Sequence, residues 1–323
     1  MPSVLPFLAP RILHSAFLRV RENHGCAGAD GINLTVFESA LPAHLAALRQ
    51  AVEAESYFAW PLRRIQAEKH PGSAERRTLL VPAVTDRVLQ TAVARYLEPY
   101  IEPEFEECSF AYRRGRSVRM AVERVYHLHQ QGYTWLVDAD IDDFFDSVDR
   151  EHVLGRLSTL LPAGAEAQTA LRLTRLWLDY AVWDGLHLVR PPLGLPQGAV
   201  ISPMLANLCL DVLDDRLLAE GFKLVRYADD FVILTKSRRA AEQACSLAAE
   251  TLTSLRLRLD QGKTRVTRFT EGFKFLGAIF LKDLLMRPWT LGRKRLRVLS
   301  VAPALPVRFF PLRERRTLRH YRA

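Results

Sequence analysis

Several things are scarce in this chain, and each scarcity excludes a class of protein. Its 323 residues hold four cysteines, Cys26, Cys108, Cys209 and Cys245. They lie far apart with no Cys-x-x-Cys pair, which excludes a zinc knuckle and a disulfide framework and makes a reducing cytoplasm the default setting. No charge-free apolar run reaches the roughly 18 residues of a membrane span. The apolar opening, MPSVLPFLAPRILHSAF, is broken by Pro6, Pro10 and Arg11 and does not read as a secretory signal. Internal repeats and low-complexity linkers are also missing. Acid is nearly absent from the end of the chain: residues 287–323 carry eleven Lys or Arg against Glu314 alone, whereas residues 1–286 hold 34 basic and 35 acidic side chains. The whole net charge of +9 therefore sits in the tail. Such a block binds a polyanion by counterion release or simply solvates a terminus, and charge alone weights the two equally.

What is present is a mixture of helix and strand patterns. DRVLQTAVARYLEPYI, residues 86–101, has Val88, Leu89, Ala92, Val93, Tyr96 and Leu97 at helical spacing, with Asp86 as the expected cap. YTWLVDADI, residues 133–141, is short and apolar and predicts a strand leading into a cluster of acids. A helix is predicted over 201–218, with Ser202 and Pro203 as start signals, and another over 240–259. KLVRYADDFVIL predicts a hairpin with Ala228, Asp229 and Asp230 at or beside its turn, and FKFLGAIFL predicts a second strand pair. Helices and strands in this order, without regular alternation, favour an α+β fold.

Adjacent carboxylates repel one another, and a chain gains from pairing Asp229 with Asp230 when a multivalent cation lies between them and another acid. DADIDDFFDSVD offers that acid. If its strand runs through Ile141, alternation puts Asp138 and Asp140 on one face. Three carboxylates from neighbouring strand ends suit two Mg²⁺ about 3.5–4 Å apart, the arrangement used for in-line phosphoryl transfer. Ordinary turn chemistry is the bland alternative, and for an isolated Asp-Asp it is the better one.

The wider set of motifs decides between them. GADGINLTVFE, RRTLLVPAVTDRVLQTAV, SFAYRRGRSVRMAV, DADIDDFFDSVD, LGLPQGAVISPMLANLCLDVLD, RYADDFVIL, LDQGKTRV and FKFLGAIF follow one another between Gly25 and Phe280. In this order they resemble the bacterial reverse transcriptases of the group II intron type, which include intron-encoded, CRISPR-associated and other domesticated members. The resemblance implies an α+β right-hand polymerase: fingers over 1–134, a palm over 135–285 with a fingers insertion around 155–195, and a short or partial basic thumb over 286–323. It implies an RNA-directed DNA polymerase acting on an RNA template, a DNA or RNA primer and dNTPs, with two Mg²⁺ for which Mn²⁺ can substitute. A protein partner such as a CRISPR integrase, and a role in CRISPR adaptation, phage defence or retroelement mobility, fit the compact members.

By motif position the resemblance makes Asp140, beside the backbone of Ile141, the first metal ligand and Asp229 the second, with Asp230 as an outer carboxylate. Asp138, Asp142, Asp143, Asp146 and Asp149 keep structural readings as caps and variable acids. Phe145 matches the ring that excludes a 2′-hydroxyl, and Gln197 an amide reaching nucleotide or template, in a loop shaped by Pro196 and Gly198. Arg77, with Arg76 as the alternative, matches the triphosphate-binding arginine of the fingers. Lys263 matches a palm lysine near the phosphates, a proton donor to pyrophosphate. Arg113, Arg114 and Arg116 read as contacts to the template backbone, and Leu276 and Gly277, after Phe275, as the hairpin under the primer end. An RNA-templated RNA polymerase and a catalytically inactive nucleic-acid-binding subunit are the rival readings. Phe145 opposes the first, and the acids together with Arg77 oppose the second.

Overall fold

The computed structural model describes residues 5–68, 74–286 and 298–305. The chain opens with helices α1 (Pro10–Glu22), α2 (Leu34–Ser39) and α3 (Leu41–Glu53), followed by strands β1 (Leu62–Glu68) and β2 (Arg76–Val81). The long α4 (Val84–Ile101) comes next, then α5 (Val118–Gln130), β3 (Trp135–Ala139), α6 (Phe144–Ser147), α7 (Arg150–Leu160) and α8 (Ala165–Leu178). Two short strands, β4 (Val182–Trp183) and β5 (Leu188–Val189), precede α9 (Ser202–Ala219), the hairpin of β6 (Lys223–Tyr227) and β7 (Asp230–Thr235), and α10 (Arg238–Ser254). The described elements close with β8 (Arg265–Arg268), β9 (Phe273–Phe275), β10 (Ala278–Leu281), β11 (Leu284–Met286) and β12 (Val298–Val301).

The centre is an antiparallel four-stranded sheet in the order β6, β7, β3, β8. Strand alternation sends its side chains to two opposite cores. Val137, Ala139, Leu224, Phe231 and Ile233 join the core that holds α9 and α10. Leu136, Val225, Val232 and Leu234 join α5, Phe275 and three stacked or edge-on rings, Phe269, Phe273 and Phe280. Apolar cover on both faces makes β3 and β7 read as continuous hydrophobic runs. It also fixes register, because a slip of one residue would turn every side chain to the wrong core.

A second sheet surrounds β1, which pairs antiparallel with β2 and β12 and parallel with β4. The described part of the expected thumb thus extends this N-terminal sheet: Ile65 faces Val301, and Leu305 is buried beside Trp60 and Trp183. All eleven basic residues of 287–323 lie outside the described residues.

Three local expectations change. The predicted strand over 133–141 ends at Ala139, so Asp140 stands just past it. Asp86 does not cap α4; it is buried in the first turn, accepting hydrogen bonds from the Tyr57 hydroxyl at 2.7 Å and the Trp60 amide at 3.0 Å. The helix predicted to Leu259 stops at Ser254, because Arg256 turns left-handed (φ 60°) and the Leu257 amide closes back on the Leu252 carbonyl at 2.8 Å. Among the described residues no helix is long and apolar enough to cross a membrane.

Candidate active site

Two chain segments bring the acids together. Beyond β3, the Asp260 amide donates to the Asp140 carbonyl and the Asp142 amide to the Arg258 carbonyl, each at 2.9 Å. These bonds flank the bridge between Ile141 and Leu259, so the Ile141 carbonyl points away from it while its side chain is buried. On the neighbouring strands, Tyr227 pairs with Asp230 across a two-residue turn of Ala228 and Asp229, and Ala228 is left-handed (φ 59°). For a residue with a Cβ that conformation costs about 1–2 kcal/mol. Something must hold it.

The holder is Arg226, which is fully buried. Its guanidinium donates to both carboxylate oxygens of Asp214 (2.7 and 2.5 Å), to Asn207 Oδ1 (2.9 Å) and to the Ala228 carbonyl (3.2 Å). Neither Arg226, Asp214 nor Asn207 was singled out in the sequence. The available signals were a charged residue inside the apolar strand KLVRY and two polar residues seven apart on the apolar helix α9.

Asp140, Ile141, Phe145, Gln197, Arg77, Asp229 and Lys263 line one cleft of about 540 Å³, a volume suited to a nucleotide-sized ligand. Phe145 is half-buried and lies edge-on to the buried Phe144. Arg77 enters through strand alternation, which turns Arg76 to the other face, so Arg77 lines the cleft and Arg76 is exposed away from it. The Arg77 Nε is buried with no hydrogen-bond partner. Gln197 is carried by a loop tied to three elements: the Leu195 amide donates to the Phe145 carbonyl, the Leu80 amide to the Gln197 carbonyl, and the Val200 amide to Gln90 on α4.

Lys263 Nζ stands 2.5 Å from Asp140 Oδ2 and 3.2 Å from Asp260 Oδ2. These bonds hold the ammonium charged, raising its pKa. Burial pushes the Asp229 carboxyl up, with Asp140 adding to the effect. Asp230 is pushed up to about 7, first by burial and then by the like charges of Asp138, Asp140 and Asp229. Asp138 is ion-paired with Arg265 at 3.3 Å, and Asp149 caps α7 by accepting from the Glu151 and His152 amides, as structural acids should.

The donor set fits magnesium. It consists of hard oxygens, two carboxylates and a backbone carbonyl, in a field of negative charge that a divalent cation relieves. Among the described residues no three His, Cys, Asp or Glu side chains form a ready-made metal cage. Magnesium does not need one, because it takes one or two carboxylates together with substrate phosphates.

Other expected contacts divide. Arg113 is withdrawn from any template: its side chain is 5% exposed, pairs with Glu102, and donates to the carbonyls of Phe105, Glu106 and Ser109. Arg116 is half-buried, bonding the Glu107 carbonyl and stacking on Phe110, whereas Arg114 is exposed. Leu276 (φ 51°) and Gly277 (φ 81°) form the turn of the β9–β10 hairpin, away from the cleft-lining set. Tyr112, left-handed (φ 60°) and exposed, was missed; it lies near enough to Asp229 and Arg77 for their charges to act on its hydroxyl.

Comparison with known proteins shows the family. The family model described as reverse transcriptase (RNA-dependent DNA polymerase) matches residues 67–280. Protein YkfC of Escherichia coli (strain K12) is 29% identical, over 77% of this chain and 74% of its own. The group II intron-encoded protein LtrA of Lactococcus lactis subsp. cremoris is 24% identical, over 84% of this chain and 55% of its own. The chain thus spans about half the length of LtrA. A solved telomerase from Candida albicans superposes with a TM-score of 0.54 at 15% identity, covering 71% of this chain and 47% of that one, which shows the shared right-hand polymerase fold. Since the matched segment is well over half the sequence and contains every cleft-lining acid, the chain belongs to the reverse transcriptase (RNA-dependent DNA polymerase) family.

Proposed function

We propose that this chain is an RNA-directed DNA polymerase, extending a DNA or RNA primer with dNTPs on an RNA template. One observation carries the reading: Asp140 and Asp229, from separate strand ends, share a nucleotide-sized cleft with Arg77, Phe145, Gln197 and Lys263. Asp140, Asp229 and the Ile141 carbonyl would hold two Mg²⁺, with Asp230 as an outer carboxylate; bound there, the ions supply positive charge at the attacking and leaving oxygens. Mn²⁺ has the same preference for oxygen ligands and substitutes.

The protein groups do the rest. Arg77, which lines the cleft, binds the triphosphate through its guanidinium. Phe145 lies under the sugar and excludes a 2′-hydroxyl by volume. Gln197 orients the nucleotide or its template partner from a loop tied to β2, α4 and α6. The primer 3′-hydroxyl gives up its proton to solvent as its oxygen bonds to the α-phosphorus, the bond to pyrophosphate breaks, and Lys263 Nζ gives a proton to that leaving group. Such acid catalysis contributes about 10²–10⁴-fold.

We assign residues 1–134, with the insertion around 155–195, to fingers that hold nucleotide and template, and 135–285 to the catalytic palm. The cations of 287–323 grip the duplex as a short or partial thumb, by counterion release. Arg114 is the member of its arginine trio that contacts the template backbone, and Leu276 with Gly277 supports the primer end. The reducing cytoplasm suits four free cysteines. Primer extension on an RNA template, comparing dNTPs with rNTPs and wild type with Asp229→Ala, tests the proposal. Incorporation of dNTPs that the substitution abolishes supports it. Preference for rNTPs would favour an RNA polymerase, and no incorporation by the wild type would favour a binding subunit.

A further inference from the structure

The catalytic turn stands on a buried polar fork whose geometry serves more than stability. Arg226 and Asp214 have fully buried side chains, joined through two parallel hydrogen bonds. Burying such a pair rarely stabilises a protein more than an apolar pair of similar volume would, so its presence beneath the site needs another explanation. Its contacts supply one. The same Arg226 guanidinium donates to the carbonyl of Ala228, the left-handed residue immediately before Asp229. It also donates to Asn207 Oδ1, and Asn207 in turn donates through Nδ2 to the Ala111 carbonyl at 2.8 Å. Ala111 precedes Tyr112, a left-handed residue whose hydroxyl lies near enough to Asp229 to feel its charge. The backbone completes the link: the Arg226 amide donates to the Cys108 carbonyl at 2.8 Å and the Phe110 amide to the Arg226 carbonyl at 2.9 Å.

We propose that Arg226, Asp214 and Asn207 form a positioning unit that sets the Asp229 carboxylate for metal binding and holds Tyr112 near it. The inference rests on the metal-binding reading of Asp229. Its physical core is planarity. A guanidinium with donors in a fixed plane reaches Asp214, Asn207 and the Ala228 carbonyl at once, which an ammonium on a flexible stem does not. Asp214 holds that plane; Asn207 relays it to the 108–112 segment. Two strained backbone positions are thereby referred to a single rigid group, and both lie within reach of one metal ligand. Arg226 touches no reacting atom, so its effect is transmitted wholly through Asp229 and Tyr112.

The test is Mn²⁺ binding to the full chain, followed by the electron paramagnetic resonance signal of free Mn²⁺, with thermal melts in parallel. Four variants are compared with wild type: Arg226→Lys, Asn207→Ala, the apolar replacement Arg226→Met/Asp214→Leu, and Asp229→Asn as the marker of the site. The expected result is that the apolar double variant melts cooperatively within a few degrees of wild type yet binds Mn²⁺ at least fivefold more weakly. Arg226→Lys, which keeps the charge and loses the plane, should weaken binding as well, and Asn207→Ala less. Wild-type Mn²⁺ affinity in the folded double variant would overturn the proposal, as would full rescue by lysine or a wild-type ion that Asp229→Asn does not disturb. Because the readout is binding, failure of primer extension with intact Mn²⁺ binding would sink the polymerase reading and leave this one standing.

Discussion

Gly198→Ala is the perturbation whose effect follows most directly from the backbone geometry. Gly198 has φ +121°, and a Cβ there would lie 2.8 Å from the Leu80 carbonyl oxygen and 3.4 Å from the Leu80 nitrogen. Both obstacles are backbone atoms of β2, so no side chain can swing aside. The backbone strain of a substituted residue in that region is about 1–3 kcal/mol. Pushing the loop off β2 also forfeits the 2.8 Å bond from the Leu80 amide to the Gln197 carbonyl, a further ~1 kcal/mol. A total of roughly 2–4 kcal/mol lowers Tm by about 3–6 °C in a chain of this size. The displacement separates Gln197 from Arg77, which β2 carries, and misplacement of about 1 Å costs about 100-fold in rate. Differential scanning fluorimetry and single-nucleotide incorporation measure the two effects. Gly155→Ala is the control: a Cβ there meets nothing within 4 Å and α7 should gain about 0.5–1 kcal/mol. A Gly198→Ala protein with unchanged Tm and unchanged rate would refute the reasoning.

Further outcomes follow from single contacts. Phe145→Ala should admit ribonucleotides, raising the rNTP to dNTP efficiency ratio by about 10–100-fold, the range that about 1.4–2.7 kcal/mol of lost steric exclusion implies; an unchanged ratio would remove Phe145 from sugar selection. Lys263→Met takes an ammonium from Asp140 Oδ2, so Mn²⁺ should bind a few-fold more tightly while incorporation slows by about 10²–10⁴-fold, the two moving in opposite directions. Weaker Mn²⁺ binding would contradict the competition between ammonium and metal. Asp86 is raised to about 7 from 3.8, chiefly by burial, so its contribution to stability is complete below about pH 4 and is lost as pH rises through about 7. Wild-type Tm should therefore fall relative to Asp86→Asn between pH 5 and pH 8; a constant difference would mean that Asp86 does not titrate there.

Much of the site was legible in the sequence because its chemistry is local. The turn through Ala228 and Asp229 follows from two short apolar strands, and Arg77 separates from Arg76 once β2 imposes its alternation. Depth was not legible. RRGR shows three cations, but only the fold shows that Arg113 is spent on Glu102 and three carbonyls while Arg114 remains outside. Asp86 likewise has the residue type and place of a cap, and becomes a buried tie because Tyr57 and Trp60 pack against it. The Arg226, Asp214 and Asn207 fork joins a strand to a helix, and no periodicity within either element announces a contact between them. The end of α10 depended on one left-handed residue, Arg256, whose type gives no warning of it.

The central claim is that Asp140 and Asp229 act as one polymerase centre. Its most direct test is pre-steady-state incorporation of a single dNTP on an RNA-templated primer by wild type, Asp140→Asn, Asp229→Asn and the double variant. Groups that act as a unit lose nearly everything when either is removed, so each single substitution should cost about 10³-fold or more and the double variant should be no slower than the worse single. Single losses that multiply in the double variant, or a single variant that keeps wild-type rate, would contradict the shared centre.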